Sequence, residues 1–593
     1  MRRAMMAAAL LGALAGLAAD RQVYFGDLHI HTRYSFDAFL FGTRTNPDDA
    51  YAFARGAPLR HPSGFEMQLS RPLDFYAVTD HGFYLGMWSA MTDPAHPLHG
   101  DPDARTYLDA KTTPERSRAF RTAGQFLTDN FSEADVRGAW AEIVASANRH
   151  YTPGELTTFI AYEYTSSYPT DRGNLHRNVV FRGDAAPIMP FSRLDSLNPE
   201  DLWAWMDLQR QRGMDAIAIP HNSNGSNGHM FELTQTDGTP MDAAYAARRM
   251  RNEPLIENTQ IKGTSDTHPF LSPNDEWADF EIMPHRVATL LRSRPQGSYA
   301  REAWRNGLVM QERDGVNPYR FGVIGSSDTH NSGEVFDEDR FVSKVGTLDS
   351  DPVGRGSVPV NPGEEIPGYR EGSNIYFGAS GLAAAWADEN SRGAVFDAFR
   401  RRETYSTTGT WIRLRFFGGY GLSEDMLDAG RIAQAYETGV PMGGDLVRQE
   451  SAAPGFLAWA AQDPQAAKLQ RLQIVKGWVA DGRSHERVYD VACSDGLAVN
   501  PDTHRCPDNG AVVDISDCSI TEGVGASELS TLWHDPYFDP DQRAFYYVRA
   551  LENPTCRWST WDAIRAGTTP RGSIAATIQE RAFSSPIWYD PAG

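Results

Sequence analysis

The sequence predicts an α/β fold, a mostly parallel sheet with outer helices, followed by a smaller all-β region. Three observations predict it. Up to about residue 404, short apolar strand-like runs alternate with helix signals, the pattern of βαβ units. Histidines and carboxylates gather just past the ends of those runs, where the active sites of α/β barrels lie. Beyond residue 404, short β runs alternate with Gly, Pro and Asp turns, as in a sandwich.

The opening strand, residues 23–32, reads Val-Tyr-Phe-Gly-Asp-Leu-His-Ile-His-Thr and carries His29 and His31 at its end. Alternate residues of a strand share a face, so the two imidazoles point to one side, roughly 6–7 Å apart along the chain, within reach of one metal ion. Asp27 is expected to make local hydrogen bonds. Residues 45–49, Thr-Asn-Pro-Asp-Asp, open a helix with a capping residue, an early proline and first-turn acids. A second strand, 73–79, delivers Asp80 and His81. Residues 87–130 are polar and read as an insertion over the site. A capping box at 132–135 starts a helix to about 148.

The strand at 157–162 ends at Glu163, and the next, 176–182, begins with His176. A helix from 198 to about 213 precedes the buried strand 215–220, which delivers His221 and Asn222. A second insertion, 223–294, holds a strand at 255–261 carrying Glu257, then Lys262 and His268. A helix is expected over 298–307, with Gly307 as its stop. The strand 320–325 leads to Asp328 and His330. A third irregular insertion reaches about 371, and a helix around 393–401 closes this half. The β region shows strands at 412–417, 455–460, 472–475 and 544–550. The expected division is 1–18, 19–404 and 405–593.

The 593 residues suffice for two to four domains, and 41% hydrophobic with 11% aromatic residues supplies sizeable cores. A net charge of −21 repels phosphate backbones and argues against nucleic-acid binding. Bound metal ions reverse the local field, so a small anionic substrate stays open. Arg2 and Arg3, the apolar run 5–17 and the small residues at 16–18 read as a signal peptide. The protein is therefore expected to be periplasmic or secreted, with no membrane association beyond export. Cys493, Cys506, Cys518 and Cys556 are its only cysteines. In an exported chain they imply two disulfides, with three connectivities open. The sequence leaves the oligomeric state open.

His29, His31, Asp80, His81, Glu163, His176, His221, Asp328 and His330 form one strand-end set. Imidazole and carboxylate together suit Zn, Mn or Fe. They exceed the needs of one ion, so two or three divalent transition-metal ions are expected, with Glu163 bridging. Two ions about 3.5–4 Å apart hold a hydroxide as nucleophile and stabilise the leaving oxygen. No Gly-x-Ser-x-Gly surrounds a plausible nucleophile and every cysteine lies in the β region, which argues against covalent catalysis.

His29-x-His31, Thr79-Asp80-His81, Glu163, His176, His221 and Asp328-x-His330 resemble the ordered motifs of the PHP (polymerase and histidinol phosphatase) superfamily. Residues 24–32, 325–330 and 579–589 resemble the exported DUF3604 group, related to carbaryl-hydrolase-like enzymes. The resemblance implies a distorted (β/α)7 PHP-type barrel with a two- or three-metal site, followed by the smaller β-sandwich. It assigns His29, His31, Glu163 and Asp328 to one ion and Glu163, His176 and His221 to a second. Asp37, His81 and His330 fall to a third. Relatives carry a histidine where this chain has Asp37. Asp80 is a ligand or orients His81.

Glu163, Asp328, Lys262 and His268 are the expected catalytic residues. Arg33, Tyr34, Asn222, Lys262 and His268 are the expected substrate contacts, and Trp277 a candidate wall for an aryl group. The expected activity is metal-dependent hydrolysis of a small-molecule ester, phosphoester first. Carbamate or carboxylic aryl ester hydrolysis is the alternative, and an inactive metal-binding or interaction module the rival. A basic pocket floor favours phosphate; an aromatic one favours an aryl ester.

Overall fold

The computed structural model describes residues 21–364, 368–378, 380–428, 430–449 and 452–591; the expected signal peptide lies outside them. Its centre is the Gln22–Ile30 strand, which pairs in parallel with Phe75–Val78, itself parallel to Thr157–Phe159. Gly26 faces Phe75 so closely that a Cβ there would lie 2.2 Å from its ring, so only glycine fits. On the other edge the central strand runs antiparallel to Leu382–Ala387, and the sheet continues through Thr404–Thr407 and Arg581–Ser584 to Ala544–Glu552. The result is one mixed sheet of 11 strands joining the early and late parts of the chain.

Two three-stranded sheets complete the site-bearing half. Ala161–Tyr164, Arg177–Phe181 and Ala216–Pro220 are antiparallel neighbours. Leu255–Gln260 lies parallel to Gly322–Gly325 and antiparallel to Gly263–Thr264. Single parallel bridges, Ile30 to Thr329 and His81 to Glu163, tie these sheets to the large one. The expected mostly parallel sheet is therefore mixed, and no closed barrel forms among the described residues. The cause is local: residues 165–176 contain no helix, so the chain cannot make the crossover that a parallel neighbour needs and turns back antiparallel.

Helices cover the outer faces. Pro47–Ala54 starts in a full capping box between Asn46 and Asp49, Glu133–Arg149 is capped by Ser132, and Pro199–Gln211 by Asn198. The expected polar insertion at 87–130 is largely helical, as Met87–Met91, Pro102–Leu108 and Thr113–Asp129. The helix expected to stop at Gly307 runs Ala300–Asp314 and stops at Gly315, φ 73°. Gly307 is instead where the Asn317 side chain packs against the helix: a Cβ would lie 2.2 Å from its Oδ1.

In the C-terminal part, a four-stranded antiparallel sheet includes Arg413–Gly419, Gly455–Ala461 and Glu528–His534. It packs on the large sheet, with the rings of Phe456 and Tyr546 4.2 Å apart. The disulfides are Cys493–Cys506 and Cys518–Cys556. No described helix is long and apolar enough to cross a membrane. A fully buried ionic network ties this part to the second insertion: Asp275 accepts from Arg301 at 2.8 Å and from Arg549 at 2.7 and 3.0 Å.

Candidate metal centre

The sheets converge at strand ends, and the imidazoles and carboxylates meet there. His31 N donates to Thr329 O at 2.9 Å, which pins the first motif beside the Asp328–His330 segment. Asp328 and Asn222 adopt φ of 57° and 48°, a left-handed conformation that Asp and Asn tolerate better than most residues. It breaks each strand direction where a side chain must turn into the cavity.

Glu163 is the hub. Its Oε2 lies 3.3 Å from His31 Nε2, 3.6 Å from His29 Nε2 and 3.0 Å from His81 Nδ1; its Oε1 lies 2.6 Å from His176 Nδ1 and 3.5 Å from His221 Nε2. Asp328 Oδ1 is 3.5 Å from both His29 Nε2 and His31 Nε2. Asp37 Oδ2 sits between His81 Nε2 and His330 Nε2, at 3.1 and 3.0 Å. Three groups have donor atoms within 4.8 Å of one another: His29, His31 and Asp328; His29, Glu163 and His221; His31, His81 and His330. The second group contains His29 rather than His176, and the third contains His31 rather than Asp37.

The donors fit metal ions. His29 Nε2, His31 Nε2 and both ring nitrogens of His221 are buried with no hydrogen-bond partner among the described residues. A buried polar atom left unpaired is costly, and three imidazoles with such nitrogens around two carboxylates form a donor set for divalent transition metals.

The partners behind the ligands set their direction. Glu257 accepts from His29 Nδ1 at 3.1 Å. His31 Nδ1 lies 2.8 Å from Ser35 Oγ, which donates to Asp80 Oδ1 at 2.8 Å. Both contacts leave Nε2 as the lone-pair atom facing the cluster. Asp80 also accepts from Thr32 N, Thr32 Oγ and Ser35 N, at 2.6, 2.6 and 3.0 Å. Asp80, expected among the ligands, thus spends its oxygens on Thr32 and Ser35 and stands behind His31. Asp27 makes the expected local bond, accepting from His29 N, and a second, remote one from Ser327 N.

Burial holds His176 at about 3 and His221 at about 4, and burial with Lys344 nearby holds His330 at about 3. Burial also puts His31 well below its usual value. These imidazoles are neutral and ready to ligate. Burial opposes charge on His81 too, but Asp37 and Glu163 outweigh it and raise His81 to about 10. Glu257 similarly raises His29 against burial. Without ions, the carboxylates thus recruit protons as their positive charge.

The cluster opens into a cavity of about 1020 Å³. Lys262 and Lys344 line its floor beside Asp328: Lys262 Nζ contacts Asp328 Oδ2 and lies 3.1 Å from Asn222 Oδ1. Lys344 Nζ lies 2.6 Å from Asp328 O and 3.0 Å from His330 Nδ1. Phe36, Phe41, Phe83 and Phe120 line one wall, and Arg121, Arg172, Arg193 and Arg286 line it further out. Of the expected substrate contacts, Asn222 and Lys262 line this cavity. Arg33, Tyr34 and His268 do not: Arg33 stacks on Tyr34 at 5.3 Å, and His268 packs 5.5 Å from Tyr299 while its Nδ1 accepts from Phe270 N. Trp277 is also elsewhere, donating to Gln579. His268 and Trp277 belong to a part of the second insertion that packs against Tyr299 and Gln579 instead.

Sequence reasoning missed Glu257, Ser35 and Lys344 as site residues. Glu257 was detectable as an acid that follows the apolar pair Leu255-Ile256 within a strand. Ser35 lies four residues after His31. Lys344 lies in an irregular insertion and carries no local signal.

The fold and donor set together define a mixed α/β protein with a candidate polynuclear metal centre. The chain belongs to the DUF3604 family, a family of unknown function whose profile matches residues 18–591. No curated protein matches it. Among solved structures it is similar to a two-domain protein containing a predicted PHP-like metal-dependent phosphoesterase from Bacteroides vulgatus. The identity is 12%, with 80% of this chain and 90% of that chain covered and a TM-score of 0.28.

Proposed function

We propose that this protein is an exported, metal-dependent phosphoester hydrolase. One observation carries the reading: two lysines, Lys262 and Lys344, meet a single carboxylate, Asp328, at the floor of a cavity, next to the buried, unpaired nitrogens of His29, His31 and His221. His29, His31, Glu163, His221 and Asp328 would hold divalent ions, which when bound would supply Lewis acidity and lower the pKa of a water. The chain does the rest. Burial lowers Lys344 only to about 8, so its ammonium binds a phosphoryl oxygen and offsets charge as it develops; Lys262, held well below the usual lysine range by burial and Lys344, donates a hydrogen bond beside it. Asn222 holds Lys262 in place. The phenylalanine wall keeps bulk water from one side and receives an apolar leaving group. The ligand-bearing half corresponds on this reading to a PHP-type barrel left open, with the β region packed against it.

That aromatic wall is also the specific observation favouring a second reading, aryl carboxylic ester or carbamate hydrolysis. The test is a panel of 4-nitrophenyl phosphate, bis(4-nitrophenyl) phosphate, 4-nitrophenyl acetate and an aryl carbamate, offered to protein loaded with Zn, Mn or Fe. Higher kcat/KM on the phosphoesters supports the proposal. Turnover of acetate or carbamate alone replaces it with the second reading, and no turnover of any sinks both. Recovery of the protein from periplasm or medium, with its N-terminus cleaved near residue 18, tests export.

A further inference from the structure

Arg193 is an arginine with no counter-ion among the described residues. It is partly buried, lines the candidate catalytic cavity, and has no carboxylate or hydrogen-bond partner for its guanidinium among the described residues. The nearest acid in sequence, Asp195, is engaged elsewhere: its carboxylate accepts from Ser192 N at 2.8 Å and Ser192 Oγ at 3.3 Å. Partial burial lowers its proton affinity, with only tyrosines nearby to offset it, so an anion bound there would supply the missing charge partner.

Its position is as informative as its lack of a partner. The guanidinium carbon lies 5.3 Å from the centre of the Phe83 ring. Phe83 in turn lies 5.8 Å from the His81 ring and 4.9 Å from Phe36. One aromatic layer therefore separates the metal-ligand cluster from a free cation. A substrate lying in the cavity along this layer meets, in order, metal donors, an apolar flat surface and a positive charge.

We infer that Arg193 forms a second anion subsite, and that the substrate is an aryl or similarly flat phosphoester carrying another anionic group on the side remote from the scissile bond. This rests on the proposed hydrolase reading and narrows it. A bidentate carboxylate, sulfonate or phosphonate suits a guanidinium equally well, and the arms of the experiment separate them.

The experiment compares phenyl and 2-naphthyl phosphate with counterparts bearing a carboxylate, sulfonate or phosphonate at the far ring position, using metal-loaded wild type, Arg193→Gln and Arg193→Lys. The expected result is about a tenfold higher kcat/KM for at least one anionic ester over its uncharged counterpart, about 1.4 kcal/mol, arising in KM. Arg193→Gln brings that ratio to about one, and Arg193→Lys keeps part of it. A ratio near one in wild type, or one that Arg193→Gln leaves intact, overturns the inference.

Fluorescence titration with 6-hydroxy-2-naphthoate, which contains no ester, gives a readout that does not depend on turnover. Binding about tenfold tighter to wild type than to Arg193→Gln supports the subsite even if no ester is cleaved, and then only the hydrolase reading fails. Equal binding to the two proteins, both folded by circular dichroism, counts against the subsite.

Discussion

Glu257 offers the sharpest perturbation, because it lies outside the cavity lining and its carboxylate bonds directly to His29. Its carboxylate accepts from His29 Nδ1 at 3.1 Å, and both groups are fully buried. That contact fixes the tautomer in which Nε2 is unprotonated and aimed between Glu163 and Asp328, at 3.6 and 3.5 Å. Removing a partner of this kind costs roughly 10- to 100-fold in metal affinity, or about 1.4 to 2.7 kcal/mol. Glu257→Gln keeps the shape and an acceptor oxygen but loses the charge, so it belongs at the lower end. Glu257→Ala leaves a buried N–H unpaired, so it belongs at the upper end and destabilises the fold by a further ~1–3 kcal/mol. The assay is competition against a chromophoric chelator, with circular dichroism as the fold control. A folded Glu257→Gln protein whose affinities all match wild type would refute the reasoning.

Other predictions follow the same geometry. Lys344→Met lowers kcat on phosphoesters about 10²- to 10³-fold, the scale of losing one charge-stabilising donor; a steady-state rate within threefold of wild type contradicts its role. Metal loading at pH 7.5 displaces the His81 proton, whose pKa is raised to about 10. Calorimetry in buffers of different ionisation enthalpy should therefore show at least one proton released, and affinity should fall as pH is lowered. In the metal-free protein the same raised pKa stabilises the fold below about pH 6.5 and is lost as pH rises through about 10. Asp275→Ala leaves Arg301 and Arg549 buried without their shared carboxylate and costs about 3–5 kcal/mol in denaturant unfolding; a loss under 1 kcal/mol contradicts the network's importance.

The site was more legible than the fold. His29-x-His31, Glu163, His221 and Asp328 could be read because strand periodicity and strand ends place side chains by simple rules, and the structure brings these residues together. Asp80 could not be assigned from its type alone: a carboxylate beside a metal cluster looks the same in sequence whether it ligates or receives Thr32 and Ser35. Lys344 was invisible because only tertiary folding returns its insertion to Asp328. The mixed sheet was also hidden. Nothing in residues 176–182 announces antiparallel pairing, and Thr404–Thr407 lies between Leu382–Ala387 and Arg581–Ser584 through contacts remote in sequence. Arg33 and Tyr34 adjoin the motif along the chain but point elsewhere, because the neighbours of a turn residue do not share its direction.

The central claim is that the buried donors hold metal ions, and elemental analysis of the purified mature protein beside His29→Ala and Asp328→Ala tests it most directly. The account predicts two or three equivalents of a transition metal in wild type and at least one fewer in each folded variant. Substoichiometric metal in wild type, unchanged by reconstitution and by both substitutions, would contradict it.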